Sequence, residues 1–272
     1  MPEWPDLHVA HGRLERALPG RRITGVKVGD PVVIRATRPV EELLFGRTFK
    51  GVRHRGKFML FDLDNVTVVV NPMLSGLFVL TRWEAPASKD TRLRLALDDG
   101  TELRYRDDTR MGKVYVLQGE APETAVPGFA EIGPDAPRIS QSEFLERARK
   151  RGGEVRNLLQ DQRVASGIGN AYADEILWEA RLHPKRTVRS LTPDEATGLY
   201  VAMQSVLARA IDEVESGTPP ELGVKVRSHM KVRGRAGTAC RRCGSKIRRT
   251  RKGDDETDYC STCQTPPPGQ LF

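Results

Sequence analysis

The chain closes on two short knuckles, Cys240-Arg-Arg-Cys243 and Cys260-Ser-Thr-Cys263, and these are its only four cysteines. Each C-x2-C knuckle offers two thiolates from one tight turn. An intervening loop of this length lets the knuckles meet as a tetrahedral four-sulfur site, so Cys240, Cys243, Cys260 and Cys263 are expected to hold one structural zinc ion. The alternative is a pair of disulfides in a secreted chain. The opening residues, Met1-Pro2-Glu3-Trp4-Pro5-Asp6, lack the basic and then apolar pattern of a secretory leader, which favours reduced thiols and a cytoplasmic protein. Between Lys225 and Lys252 lie twelve Lys or Arg and no Asp or Glu. A metal-stapled ribbon in such a stretch is suited to a polyanion, and nucleic acid is the expected partner.

At 272 residues with a net charge of +8, the chain has room for two modest domains and a small metal-bound one. No apolar run approaches the roughly 18 residues of a membrane span, so no membrane partner is expected. After an amphipathic stretch from Pro5 to Leu18, short strand-like segments dominate: residues 23–28, 57–63, 66–70, 77–80, 93–97, 103–105 and 114–117. The Asp98-Asp-Gly100 turn predicts a hairpin. Short strands at this spacing suggest a sandwich or a flattened barrel. Residues 119–138, rich in Pro, Gly, Ala and Glu, serve as a linker.

From Ser140 the pattern becomes helical. Ser140-Gln-Ser-Glu143 and Thr192-Pro-Asp-Glu195 are both capping boxes, the second with Pro at the first helical position. The second introduces Leu199, Met203, Val206, Leu207, Ala210, Ile211 and Val214, a stripe at spacings of three and four that marks a buried helix face. Beyond Ser216-Gly-Thr-Pro-Pro220 the chain turns basic, and Thr265-Pro-Pro-Pro-Gly269 is expected to be a disordered tail. Gly167-Ile-Gly-Asn170 runs straight into another helical pattern. Asn170 there is placed to cap the helix, whose free first-turn amides suit a phosphate, although an ordinary tight turn would look the same.

The segment Asp161-Gln-Arg-Val-Ala-Ser-Gly-Ile-Gly-Asn-Ala-Tyr-Ala-Asp-Glu-Ile-Leu-Trp178, followed by His183-Pro184, resembles the helix-two-turns-helix of the formamidopyrimidine-DNA glycosylase and endonuclease VIII family. The resemblance extends to Met1-Pro2-Glu3-Trp4-Pro5-Asp6, to His54-Arg-Gly-Lys57-Phe-Met-Leu60 and to Tyr259-Cys-Ser-Thr-Cys-Gln264, nearly the whole length in the family's order. It implies an α+β fold: an N-terminal β-sandwich catalytic domain (1–118), the linker (119–138), a helical helix-two-turns-helix domain (139–222), and a zinc ribbon with tail (223–272). The implied function is base-excision repair on double-stranded DNA carrying damaged bases or abasic sites. The protein would act as a monomer, nucleoid-associated through DNA.

The resemblance also implies a mechanism. With Met1 removed, Pro2 presents a secondary amine that forms a Schiff base with the sugar, and Glu3 serves as acid. Lys57 matches the family's hairpin lysine, a backbone contact that aids proton transfer, and Asp6 stands where a Glu is usual. Arg110 and Asn170 match phosphate contacts. Leu74 and Met111 sit at void-filling positions that plug the hole left by a flipped nucleotide. Three departures bear on substrate: Asp6, Thr109 in place of an arginine that reads the opposite base, and Asp255 in place of the ribbon's phosphate-gripping arginine. Asp255 belongs to the acidic run Asp254–Asp258, which is expected to repel phosphates unless Arg248, Arg249, Arg251 or Lys252 substitutes. The short segment from Val214 to Lys231 argues against a specialist for 8-oxoguanine. Two other readings stay open: a protein of this fold acting mainly as an abasic-site lyase or on an unusual adduct, and a non-catalytic DNA binder.

Overall fold

The structure, a computed structural model of the chain, describes residues 1–253 and 255–266. The expected tail therefore falls, from residue 267 onward, outside the described residues. The chain forms two compact units, one of residues 1–131 with 214–226 and the other of 132–213 with 227–272.

The first unit is a β-sandwich. It opens with α1 (Trp4–Ala17), then β1 (Ile23–Val28), β2 (Ile34–Ala36), α2 (Val40–Leu44), β3 (Phe49–Arg55), β4 (Phe58–Leu63), β5 (Val66–Asn71), β6 (Leu77–Arg82), β7 (Thr91–Leu97), β8 (Thr101–Arg106), β9 (Lys113–Leu117) and α3 (Pro122–Ala125). Five strands form one sheet in the order β2-β9-β5-β4-β3 and four form the other in the order β1-β7-β8-β6. All pairs are antiparallel except β2 with β9. The inner faces meet through Phe49, Phe61, Val68 and Val70 on one sheet and Phe78, Leu93, Leu95, Leu103 and Tyr105 on the other. Phe61 and Phe78 pack edge to face at 5.5 Å.

Seven of the nine strands fall on segments with strand periodicity, and the hairpin at Asp98–Gly100 forms as expected, joining β7 to β8. β2 and β3 were not anticipated. β3 reads Phe-Lys-Gly-Val-Arg-His-Arg, an edge strand with only Phe49 and Val52 buried, so its apolar signal is thin. Lys57, expected to begin a strand, lies instead in the β3–β4 turn, where Gly56 adopts φ 54°.

In the second unit α4 (Gln141–Arg149), α5 (Val155–Gln160), α6 (Asn170–Glu179) and α7 (Pro193–Gly217), the last belonging here as far as Glu213, gather around Phe144, Leu159, Tyr172, Ile176, Met203 and Leu207. The Thr192 box closes in both directions, while at Ser140 only the N-cap half forms, the Glu143 side chain turning to Arg147. The Ser140 hydroxyl accepts from the Glu143 amide at 3.2 Å, while Thr192 and Glu195 cap each other reciprocally at 2.8 and 3.1 Å. Five stripe residues of α7, Leu199, Met203, Val206, Leu207 and Ala210, are buried in this core, while Ile211 is only partly buried. The ribbon hairpin, β10 (Ile247–Lys252) with β11 (Asp255–Cys260), completes the unit.

Leu207 is fully buried on that stripe. Leu207→Ala should destabilise the helical unit by about 2–5 kcal/mol, the transfer loss plus an unfilled cavity. Urea unfolding followed by Trp178 emission measures it, and a loss under ~1 kcal/mol would show that the stripe is not the core of this unit.

Candidate active site and zinc ribbon

At the N-terminus, the first helical turn determines where Pro2 and Glu3 sit. Glu3 is the N-cap of α1, and its backbone N–H donates to Asp6 Oδ2 at 2.8 Å. Trp4 is buried and stacks on His8 at 4.5 Å, so the helix start is anchored by packing as well as by its cap. Pro2 and Glu3 are both buried. Asp6 is thus a capping carboxylate that holds the Glu3 backbone, a role the sequence reading did not give it. Pro2 borders a cavity of about 30 Å³ lined also by Asp6, Gly76, Phe78, Leu222 and Gly223, with space for about two water molecules.

Lys57 is half-buried, its Nζ 5.6 Å from the Phe58 ring centre, and burial holds its pKa below the ordinary lysine value. The loop after β8 is organised by a residue that sequence reasoning missed. Asp107, fully buried, accepts from the Gly112 amide at 2.7 Å, from the Thr109 hydroxyl at 2.9 Å, and from the Ser75 hydroxyl. Ser75 and Thr109 also share a hydrogen bond of 2.8 Å. These bonds tie two loops together, and the loops expose Leu74 (48%) and Met111 (44%), the two expected void-fillers. Gly112 is required there, because a Cβ would collide with Tyr105 Oη. Arg110, in the left-handed region at φ 58°, pairs with Asp30 at 3.3 Å. Thr109 is bound into the Asp107 network and does not project as a reader of bases.

In the helical unit, Gly169 and not Asn170 is the N-cap of α6, with Asn170 the first helical residue. Its side chain is already engaged: Oδ1 accepts from Gln160 Nε2 at 2.5 Å, and Nδ2 donates to Asp255 Oδ1 at 3.0 Å. Asp255 in turn forms a two-pronged pair with Arg156, at 2.5 and 3.2 Å. The expectation that the acidic run presents bare charge is corrected for the described residues. Asp258 pairs with Arg249 at 2.7 Å, Glu256 pairs with Arg249 at 3.3 Å and with Arg251, and Asp255 faces Arg156. Arg249 and Arg251 are therefore committed within the hairpin. Arg248, exposed and opposite Tyr259, makes no ion pair among the described residues; Asp254 and the Lys252 side chain lie outside them.

The hairpin docks on two carboxylates of α6. Asp174 accepts from Arg156 Nε (2.9 Å), Arg233 Nη1 (2.9 Å) and the Asp258 amide (3.1 Å), and Glu175 accepts the amides of Lys231, Val232 and Arg233 at 2.8, 2.8 and 2.9 Å. A sequence signal for them existed, since two adjacent acids in an otherwise apolar helix require partners. The four Sγ atoms lie within 4.8 Å of one another, with Cys243–Cys260 at 3.4 Å and Cys240–Cys263 at 4.0 Å. A tetrahedral ion with Zn–S of about 2.3 Å sets sulfurs about 3.8 Å apart, so the site fits one zinc. The Trp178 indole donates to Cys240 Sγ at 3.4 Å, and Arg242 stacks on its ring at 3.9 Å.

Three family models match in the order of this architecture: the formamidopyrimidine-DNA glycosylase N-terminal domain over residues 1–114, the H2TH domain of the same enzyme over 132–220, and the zinc finger found in FPG and IleRS over 237–266. The formamidopyrimidine-DNA glycosylases of Halalkalibacterium halodurans and Listeria innocua are 33% and 31% identical, each match covering 97% of this chain and 100% of the relative. The chain belongs to the formamidopyrimidine-DNA glycosylase family. Among solved structures, the Lactococcus lactis Fpg in complex with abasic-site DNA superposes with a TM-score of 0.86 at 26% identity. The same enzyme with DNA containing N7-benzyl-Fapy-dG gives 0.87, also at 26%, and both matches cover 97% of this chain and 100% of the other. The α+β fold and the four-cysteine zinc site of this glycosylase-family chain are those its sequence pointed to, and no helix is long and apolar enough to cross a membrane among the described residues.

The ribbon's own apolar cluster is small: Trp178, Val232, Cys240, Ile247 and Cys260. Metal binding worth about 10–16 kcal/mol in small zinc modules must therefore hold it. Chelation with verified zinc loss should shift Trp178 emission sharply and leave the β-sandwich circular dichroism in place. An unchanged Trp178 signal after metal loss would show that zinc does not organise the ribbon.

Proposed function

We propose that this DNA glycosylase of base-excision repair is bifunctional, removing a damaged base and then cleaving the strand at the abasic site, with the Pro2 nitrogen as nucleophile. The observation that carries the reading is the buried Pro2-Glu3 start, fixed by the Asp6 bond and the Trp4 anchor. The nucleophile precedes the N-cap of α1, and the positive end of the helix disfavours a protonated amine there, enlarging the neutral, nucleophilic fraction. Attack on the sugar C1′ breaks the N-glycosidic bond as Glu3 delivers a proton. The nitrogen loses its proton, and its lone pair then expels the ring oxygen O4′, which leaves C1′ with a proton, so that the sugar opens to a cationic iminium. That cation acidifies the C2′ proton; its loss to a base expels the 3′ phosphate by β-elimination. Burial lowers the Lys57 pKa, which eases the release of a proton from its ammonium.

The substrate is double-stranded DNA with damaged bases or abasic sites, the chemistry named for the DNA in the two Lactococcus lactis complexes. Preference for 8-oxoguanine is not expected. The segment after α7 is short and attached to β6: Leu222 bridges Val79, the Leu80 amide donates to Glu221 O at 3.0 Å, and Lys225 reaches Leu74 O at 2.7 Å. Leu74, Met111 and Arg110 are the proposed contacts at the emptied site on this unit, and Asn170 with Arg248 those of the helical unit. Thr109, held by Asp107 and Ser75 where a base-reading arginine was expected, favours a second reading, an enzyme acting chiefly on abasic sites. A lesion panel that yields cleavage only at abasic DNA would select it.

Borohydride should trap a covalent complex with an oligonucleotide bearing one abasic site. An N-terminal extension should abolish the band and Pro2→Gly should weaken it. A band that survives the extension would rule out Pro2, and binding without any band would leave a non-catalytic DNA binder. Asp255→Asn removes a carboxylate that holds Asn170 and Arg156, and it should tighten duplex binding about threefold to tenfold, with a slope against log salt steeper by about one unit. Unchanged or weaker binding would mean that Asp255 does not compete with phosphate.

A further inference from the structure

We propose that His8, His11 and His54 form a second metal site, on the β-sandwich unit and independent of the cysteine ribbon, for a divalent transition-metal ion. The ligating nitrogens of the three imidazoles lie within 4.8 Å of one another, and all three residues are half-buried. His8 and His11, three apart on α1, share a helix face. His54 faces them from β3, with ring centres 5.8 Å from His8 and 5.3 Å from His11.

The surroundings orient the rings as a metal site requires. His11 Nε2 lies 2.9 Å from the Val52 carbonyl oxygen, which can only accept. That bond places the proton on Nε2 and leaves the Nδ1 lone pair for an ion, the arrangement in which a backbone carbonyl fixes the tautomer of a metal-bound histidine. Trp4 stacks on His8 at an interplanar angle of 14° and restrains that ring. Glu15, one turn beyond His11, accepts from the Val52 amide and adds negative charge on the same helix side. Tetrahedral coordination at about 2.1 Å sets nitrogens about 3.4 Å apart, so the rings must close by up to about 1.4 Å, within the reach of side-chain rotation. An all-imidazole donor set selects zinc, nickel or copper over magnesium or calcium. An ion held here joins the helix that begins beside Pro2 and Glu3 to the strand that leads into the Lys57 turn, and so restrains the two segments assigned to the chemistry.

The test uses the full chain with its ribbon zinc in place, titrated with nickel chloride in thiol-free buffer while zinc is counted by atomic emission. One nickel ion should bind per chain without zinc release, and His11→Ala and His54→Ala should each weaken binding about 100-fold. On the native protein, copper(II) should show electron paramagnetic resonance hyperfine structure from three imidazole nitrogens, a readout that does not depend on any variant folding. No nickel uptake by the native chain, uptake only with displacement of ribbon zinc, a copper spectrum without imidazole nitrogen, or unchanged affinity in both variants overturns the proposal.

Discussion

The wholly buried Asp174 carboxylate is the interaction on which the helical unit depends. It takes two guanidiniums, from Arg156 and Arg233, and one amide, from Asp258, and so joins α5, α6, the approach to the first knuckle and the far strand of the ribbon. An ionised carboxylate in this setting is tolerable only because its acceptor positions are filled. Removing a single partner from such a pair typically costs about 3–5 kcal/mol. Glu175 acts in parallel by gathering three successive amides ahead of the cysteines. Zinc holds the knuckles to each other, and these two acids hold the knuckles to the helix.

The same device recurs in the β-sandwich at a smaller scale. Asp107 collects hydrogen bonds from Gly112, Thr109 and Ser75, while Arg92 donates to its carbonyl oxygen at 2.6 Å. The loops so joined carry Leu74 and Met111 outward, and exposure of large apolar side chains on rigid loops is what a wedge between bases requires. In both units a buried aspartate positions groups that it does not itself resemble.

That pattern explains how far the sequence could be read. The cysteine spacing, the strand segments and the capping boxes are local, so each was legible within a few residues. β3 escaped because an edge strand with Lys50, Arg53 and Arg55 has little apolar alternation, and α5 because six residues hold too little periodicity. The roles of Asp107, Asp174 and Glu175 depend on partners distant in sequence. Asp255 shows the boundary most clearly: its oddity was visible in the motif, but Arg156, which answers its charge, lies 99 residues away.

This pairing also changes the meaning of the chain's basic character. Of the twelve cations between Lys225 and Lys252, Arg233, Arg249 and Arg251 face internal carboxylates, and Arg242 lies over Trp178 with Glu179 at 3.7 Å. A guanidinium with an internal carboxylate releases fewer counterions on meeting a phosphate, so the ribbon's reach toward DNA is smaller than its composition suggests. Asp255 has the opposite sign from the expected arginine and occupies the Asn170 amide, the group proposed above to meet a phosphate. A duplex must displace that carboxylate or bind around it. Either course makes affinity depend on how well the lesion strand fits the β-sandwich loops, and less on the general attraction of a basic ribbon. For an enzyme that must leave intact DNA quickly, weak grip on ordinary phosphates is a physical route to selectivity.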